Sequence, residues 1–289
     1  MQKKITLRNL LDKEGLIVAP GCHDAFGAKI IEHVGFEVAY MTGNGTSASL
    51  IGKPDLGLIT ASEMVTHARG IVSAVNIPII CDCDNGYGGV NNVIRAVEEY
   101  EAAGVSAIHI EDQDMPKKCA ALGDIKFIAK EELTEKIKAA VHARKDKNFT
   151  IIARTDCRSA LGLKEAISRG QACANAGADV VYIELLESID EMKEVVRSID
   201  APVMFDMLEH FRMPYINVKE LENIGYKLVV FPLSSTLTYA KSILGLMTSL
   251  KETGTTEAFL DKMLTLKEYE HLLGYDMIER REIAIRKQC

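Results

Sequence analysis

The sequence predicts a (β/α)8 barrel extended by a C-terminal helical arm, and three observations carry that prediction. The first is a glycine rhythm: Gly35, Gly104, Gly177 and Gly225 each close a helical pattern and open a short β-rich run. Glycine just past a helix C-terminus takes the left-handed conformation that turns the chain into the next strand. The second is arithmetic. Eight apolar runs alternate with amphipathic helical patterns, as a closed barrel of parallel strands requires. The third is where the polar groups fall: acids, one arginine and a glycine-rich turn stand at the ends of the runs, the positions that face the mouth of such a barrel. A doubly wound sheet is the competing architecture, but it uses fewer strands and carries its glycine fingerprint after the first one.

In order, the predicted strands are Leu16–Ala19, Glu37–Tyr40, Pro78–Cys83, Ser106–Ile110, Phe149–Ala153, Asp179–Ile183, Pro202–Phe205 and Lys227–Phe231. Short runs rich in Val and Ile, bounded by Gly, Pro or polar residues, read as strands buried on both faces. Apolar residues at helical spacing predict helices over Asp24–His33, Ala61–Val75, Asn91–Ala103, Lys130–Arg144, Leu163–Ala176, Ile189–Ile199 and Val218–Ile224. Where a glycine opens the strand, the seventh residue after it marks the polar tip: Thr42, Glu111, Glu184 and Pro232. After the eighth strand, Ser234–Thr253 reads as a helix, and Gly254-Thr255-Thr256 leads into a charged helical segment with Leu266, Tyr269, Leu272 and Leu273 at helical spacing. Closing a barrel does not need this segment. Residues 1–253 are therefore expected to form the catalytic barrel, and 254–289 an arm that packs on a neighbouring subunit or, about as readily, on its own barrel.

Composition narrows the function classes. The 289 residues are 47% hydrophobic and 26% charged, the balance of a soluble globular chain. A net charge of −7, with no basic stripe interleaved with aromatics, argues against a nucleic-acid partner. No apolar run reaches the ~18 residues of a membrane span, and Met1–Thr6 lacks the apolar core of a signal peptide. Seven cysteines, an odd number without framework spacing, read as reduced thiols in a cytoplasm. Cys81-x-Cys83 is too tight for a zinc pair and reads as core packing beside the aspartates.

Three constellations carry chemistry. Asp82 and Asp84, two apart at the end of the third strand, are expected to point the same way, and Glu111 ends the neighbouring strand. Carboxylates this close repel unless protons or a cation stand between them; oxygen ligands at a strand mouth suit Mg2+, with Mn2+ as a substitute. The plainer alternative for the aspartate pair is a solvated strand end. Thr42-Gly43-Asn44-Gly45-Thr46-Ser47 offers N–H groups and hydroxyls for a carboxylate or phosphate, although on its own it reads as a plain turn. Lys117-Lys118-Cys119 lies in a long loop of the length that lids have. Its ammonium groups are expected to favour a Cys119 thiolate, against the simpler reading of an ordinary loop cysteine beside solvated lysines.

With these motifs in place the sequence resembles the isocitrate lyase/phosphoenolpyruvate mutase superfamily over residues 6 to about 250, most closely its 2-methylisocitrate lyase-like branch. The resemblance rests on the order and spacing of Tyr40-Met41-Thr42-Gly43, Pro54-Asp55-Leu56-Gly57-Leu58-Ile59-Thr60, Asp82-Cys83-Asp84-Asn85-Gly86-Tyr87-Gly88, Ile110-Glu111-Asp112-Gln113, Lys117-Lys118-Cys119 and Ala153-Arg154-Thr155-Asp156. It implies a Mg2+-dependent barrel acting on small 2-hydroxy or 2-oxo carboxylates, and a homotetramer, a dimer of dimers, with the last helix exchanged between subunits. It implies further that Asp82, Asp84 and Glu111 hold the metal. Thr42, Gly43, Asn44, Tyr40, Asp55, Lys118, Arg154, Glu184 and Asp206 would bind substrate, and Cys119, Lys117 and Arg154 would serve catalysis.

Two positions depart from the family pattern. Ala120-Ala121 stands where the lyase loop carries Gly-His, and Asp206 stands where asparagine is usual. The first removes a histidine and a glycine hinge. The second adds a negative charge facing an anionic substrate, so smaller or less charged substrates than methylisocitrate are expected. The leading expectation is a carbon–carbon lyase that splits a 2-hydroxy di- or tricarboxylate of the 2-methylisocitrate or dimethylmalate type into a 2-oxo acid and a carboxylic acid. Decarboxylation or hydrolysis of oxaloacetate is the first alternative, phosphonate mutase chemistry a second. A degenerate barrel that only binds a metabolite is the non-enzymatic one.

Overall fold

The structure, a computed structural model, describes residues 6–287. The residues read for a signal segment fall partly outside that range, at 1–5, as does Cys289. The chain falls into two compact units, Met1–Ser235 and Thr236–Cys289.

The first unit is a closed barrel of eight parallel strands in sequence order: β1 (Ile17–Cys22), β2 (Ala39–Met41), β3 (Ile79–Asp82), β4 (Ala107–Ile110), β5 (Thr150–Thr155), β6 (Val180–Ile183), β7 (Val203–Asp206) and β8 (Leu228–Phe231). β8 closes on β1, with Ile17 opposite Leu228 and Pro20 opposite Phe231. The glycine rhythm holds: Gly35, Gly104, Gly177 and Gly225 all have positive φ. β2, β4, β6 and β8 each end one residue before the predicted tip, so Thr42, Glu111, Glu184 and Pro232 are the first residues beyond the sheet.

A period of two sorts the barrel residues. Ala19, Tyr40, Ile80, Ala107, Ile152, Val180, Tyr182, Met204, Leu228 and Val230 make one buried cluster, with Leu7 and Leu10 of the helix Leu7–Leu11. The alternate residues belong to two other clusters, shared with the surrounding helices: Ile79, Cys81, Ile108, Ile110, Ile151 and Ala153 in one, Val181, Ile183, Val203, Phe205 and Val229 in the other. The first cluster is the barrel's interior and the other two its jacket. Cys81 and Cys83 pack in the jacket, as their spacing suggested.

One expectation is corrected at the level of an element. The glycine-rich stretch after β2 is not a turn but the start of a helix, Gly43–Ile51. Thr42 is its N-cap, accepting from Gly45 N–H at 3.3 Å, and Thr46 N–H closes the first helical bond on the Thr42 carbonyl at 3.0 Å. A capping hydroxyl offsets the cost of two glycines in the first turn.

The second unit contains most of the helix Ser234–Thr253, a 3-10 segment Glu257–Lys262 and the helices Leu266–Leu273 and Tyr275–Arg286. Among the described residues no helix is long and apolar enough to cross a membrane, and the six cysteines described are free thiols.

Candidate active site

The parity that fills the barrel interior also aims the polar groups. Continuing the inward series by two carries Tyr40 to Thr42, Ile80 to Asp82, Ala107 through His109 to Glu111, Ile152 through Arg154 to Asp156, Tyr182 to Glu184, Met204 to Asp206 and Val230 to Pro232. Apolar layers thus give way to a polar layer at the C-terminal mouth, where a barrel places its chemistry. One cavity collects Tyr40, Thr42, Asn44, Asp55, Asp82, Glu111, Lys117, Lys118, Cys119, Arg154, Glu184 and Asp206. These are the sequence-predicted residues except Gly43 and Asp84.

Gly43 lies behind the wall. A Cβ there would collide with the Asp82 carboxylate, so only glycine lets the helix start this close to β3. Asp84 departs from the prediction that it would point with Asp82. The strand stops at Asp82, and Asp84 takes φ +47°, donating its N–H to Asp82 Oδ1 at 2.9 Å. Short acidic side chains tolerate that left-handed turn, which ends the strand's alternation at Asp82. Its carboxylate meets Lys117 instead.

The loop after β4 folds over the mouth. Its stems are clipped together by Asp114 N–H to the Lys126 carbonyl at 2.8 Å and Ile128 N–H to the Asp112 carbonyl at 3.0 Å. Lys117 is buried and pairs with Asp55 at 2.8 Å as well as with Asp84. Cys119 N–H donates to the Asp55 carbonyl at 3.1 Å. Ala120 and Ala121, which replace the usual Gly-His, begin the 3-10 turn Ala120–Leu122, with Ala120 buried against the jacket. So folded, the loop leaves a cavity of about 40 Å³. That is room for a few waters and well below the ~300 Å³ of a ligand site, so the loop opens to admit a substrate.

Burial governs the electrostatics. It pushes the Cys119 thiol up to about 11, helped by Asp55 and only partly countered by hydrogen bonds from Ala121 N–H and Asn44. The expected thiolate is therefore corrected. The lysines that were to stabilise it face elsewhere, Lys117 to Asp55 and Asp84 and Lys118 to Asp124 at 3.6 Å. Cys119 is a proton-bearing thiol at neutral pH. Burial also raises Asp84, to about 7, against the pull of Lys117 and with the push of Asp82 and Asp55. For Asp82 burial is outweighed by His109, Lys117 and Arg154, which hold it at about 2. Burial lowers His109 to about 4, so at neutral pH the charges that keep Asp82 ionised are Lys117 and Arg154. Glu111 is raised by burial and by Asp156.

Arg154 is the hub. Its Nε donates to Asp156 Oδ1 at 2.6 Å and its Nη2 to Asp156 Oδ2 at 3.3 Å. The guanidinium lies 3.6 Å from Glu111, 3.7 Å from Glu184 and 5.0 Å from the Tyr182 ring centre. Across the mouth Tyr182 Oη bridges Glu184 Oε2 and Asp206 Oδ2, the latter at 3.0 Å. Burial raises both acids, Asp206 furthest, with Glu184 adding to it. Two buried carboxylates bridged by one phenol repel each other, which favours a proton held between them.

Four contributors were given no role by the sequence reading, although two of them, Asp156 and Gln113, stand in its motifs. His109 forms the floor: it bonds Tyr40 Oη through Nε2 at 2.8 Å, stacks on Tyr40 and meets Tyr182 edge-on. Tyr182, Asp156 and Gln113 are the others. Parity was the available signal, since His109, Tyr182 and Asp156 lie two residues from Glu111, Glu184 and Arg154 on the same inward face.

The donors suit a hard cation. Glu111 Oε1 is buried without a hydrogen-bond partner, and beside Asp82 it supplies the kind of oxygen that Mg2+ takes. Among the described residues no three His, Cys, Asp or Glu side chains stand close enough to enclose an ion. A bound ion would then complete its shell with water and substrate oxygens, which is the habit of Mg2+.

A parallel barrel whose mouth gathers acids, one arginine and a thiol on the loop above it has the make-up of an enzyme's active site. Comparison with known proteins makes that specific: residues 7–249 match the phosphoenolpyruvate phosphomutase family. The chain is 43% identical over 282 residues to 2,3-dimethylmalate lyase of Eubacterium barkeri, covering 98% of each. It is 39% identical to 2-methylisocitrate lyase of Aeropyrum pernix, over 99% of this chain and 92% of that one. A solved oxaloacetate acetylhydrolase, in complex with 3,3-difluorooxalacetate, superposes with a TM-score of 0.91 at 32% identity over 96% of both chains. The chain belongs to the PEP mutase/isocitrate lyase superfamily, and it is a lyase.

Proposed function

We propose that the protein is a Mg2+-dependent carbon–carbon lyase for a small 2-hydroxy dicarboxylate of the dimethylmalate type. One observation carries this reading: the folded loop sets a protonated thiol, Cys119, in the same cavity as Arg154, Asp82 and Glu111. Carbon–carbon cleavage needs an acid for the carbon that leaves, and a thiol held near pKa 11 keeps its proton until a carbanion appears beside it. Arg154, fixed by Asp156, holds a substrate carboxylate with the guanidinium edge. Gly43 and Asn44, in the first turn of the helix that Thr42 caps, hold another with N–H groups that have no helical partner. Asp82 and Glu111 would hold Mg2+, which would lower the pKa of the substrate hydroxyl, while Asp84 keeps Lys117 in place beside them. As that hydroxyl passes its proton to water, its oxygen becomes the carbonyl of the 2-oxo acid, the bond to the neighbouring carbon breaks, and that bond's electron pair takes the Cys119 proton. The thiolate recovers a proton from solvent when the loop opens.

The 43% identity to a dimethylmalate lyase supports this substrate class. A second reading, hydrolysis or decarboxylation of oxaloacetate, is favoured by the likeness to oxaloacetate acetylhydrolase and by the small cavity. A coupled assay of 2,3-dimethylmalate, 2-methylisocitrate, isocitrate and oxaloacetate, with Mg2+ and with a chelator, separates them. Metal-dependent release of a 2-oxo acid from dimethylmalate, lost by at least about a hundredfold in Cys119→Ser, is the expected result. Oxaloacetate consumption that survives that substitution supports the second reading, and no turnover of any of the four overturns both. The free thiols fit a cytoplasmic compartment. We keep residues 1–253 as the catalytic part and 254–289 as an arm that serves a homotetramer.

A further inference from the structure

We infer that Gln113 is a positioning residue that links closure of the loop to the setting of Arg154. Gln113 stands at the base of the loop, just beyond β4, and is buried. Its carbonyl accepts from the Asn85 side chain at 3.1 Å, which fixes its backbone against the turn after β3. The side chain grips the tip of the loop by its backbone. Oε1 accepts from Lys118 N–H at 3.0 Å and Nε2 donates to the Lys118 carbonyl at 2.8 Å. The second hydrogen of the same Nε2 goes to Asp156 Oδ2 at 2.6 Å. That oxygen also accepts from Arg154 Nη2 at 3.3 Å, while the other oxygen of Asp156 takes Arg154 Nε at 2.6 Å.

The amide can face only one way. Its oxygen meets an N–H, and its nitrogen meets a carbonyl and a carboxylate; turned over, it would oppose oxygen to oxygen twice. No other hydrogen-bonding atom on the side chain is spare. When the loop lifts, Lys118 withdraws from both ends of the amide at once, and Gln113 is free to turn away from Asp156. The carboxylate that orients Arg154 then loses a buried donor. By reciprocity, whatever steadies Arg154 and Asp156 favours the closed loop. The loop position is chosen through main-chain atoms of Lys118, so the link is indifferent to the lysine side chain.

This rests on the roles proposed for Arg154 and Cys119, but its test reads loop position and not turnover, so the two stand or fall separately. Cys119 is the one described cysteine that is not buried, and its alkylation by iodoacetamide, followed by peptide mapping, measures how often the loop is open. Gln113→Glu sets a carboxylate against Asp156 and the Lys118 carbonyl; Gln113→Leu removes the bonds at similar volume. Alkylation of Cys119 is expected to quicken about tenfold or more in both, with Cys81 and Cys83 still unmodified. Arg154→Lys should quicken it as well, and the double variant Gln113→Leu/Arg154→Lys should fall short of the product of the two single effects. A Cys119 rate within twofold of the parent in both Gln113 variants overturns the proposal. So do multiplicative effects in the double variant, and so does modification of Cys81 and Cys83 alongside Cys119, which would make Gln113 a residue of the fold alone.

Discussion

At the scale of single residues, Asp206 shows how burial rewrites a charge. From the sequence it is an added negative charge that repels an anionic substrate. In the structure it shares Tyr182 with Glu184 in a dry pocket, and burial raises both acids. Burial thus favours a proton on the pair, and a protonated Asp206 faces the cavity as an acid with a hydrogen to give, much as an asparagine would offer its amide. Its Oδ1 is buried without a partner, free for a substrate oxygen. The sign of the pH effect follows. Because the folded pKa is raised above the ordinary ~3.9, the folded state binds more protons than the unfolded state as pH climbs past that value, and stability falls with rising pH. Asp206→Asn should therefore flatten the fall in melting temperature between about pH 5 and pH 8 while keeping most of the activity at neutral pH. Melting curves across that range check it, and a slope equal to the parent's would mean that the pair holds no extra proton.

At the scale of elements, most of the fold was legible because strands and helices announce themselves by period. Strand ends fell within one residue for β2, β4, β6 and β8, since a glycine with positive φ starts each count at the same place. The helix Gly43–Ile51 was missed because Gly-Asn-Gly carries poor helix propensity, and what starts it is a cap and a close fit to Asp82 that no local pattern records. In the site, side chains at strand tips could be named in advance. His109, Tyr182, Asp156 and Gln113 could not, because their roles consist of partners far away in the chain, such as Gln113 with Asp156 and His109 with Tyr40. The cap yields a prediction: Thr42→Ala should cost about 0.5–2 kcal/mol of stability, and Thr42→Ser almost nothing. Urea unfolding measures it. Since the same first turn presents the N–H groups proposed to hold a substrate carboxylate, KM should rise in the alanine variant and stay near the parent's in the serine one. Equal stability for all three would show that Thr42 does not start the helix.

At the scale of the whole molecule, the unit that begins at Thr236 differs from the barrel in what it leaves in water. None of its helical segments contains a buried residue. Leu266, Met277, Ile278 and Ile285 are 74, 69, 63 and 58% exposed. A helix that belongs to one chain hides an apolar stripe against that chain; helices that hide none, while carrying leucine, methionine and isoleucine, present a docking face. The nearest supply of a matching surface is a second copy of the same unit, and two-fold pairing of identical faces then gives an even number of chains. The expected particle by light scattering is a tetramer. Leu266→Lys combined with Ile278→Lys places charges at positions that a single chain tolerates and an apolar interface does not. The variant should keep its helical circular dichroism and fall to dimers or monomers. A parent protein that scatters as a single chain at micromolar concentration would sink the assembly. It would also leave the apolar face of this unit without a partner among its own kind.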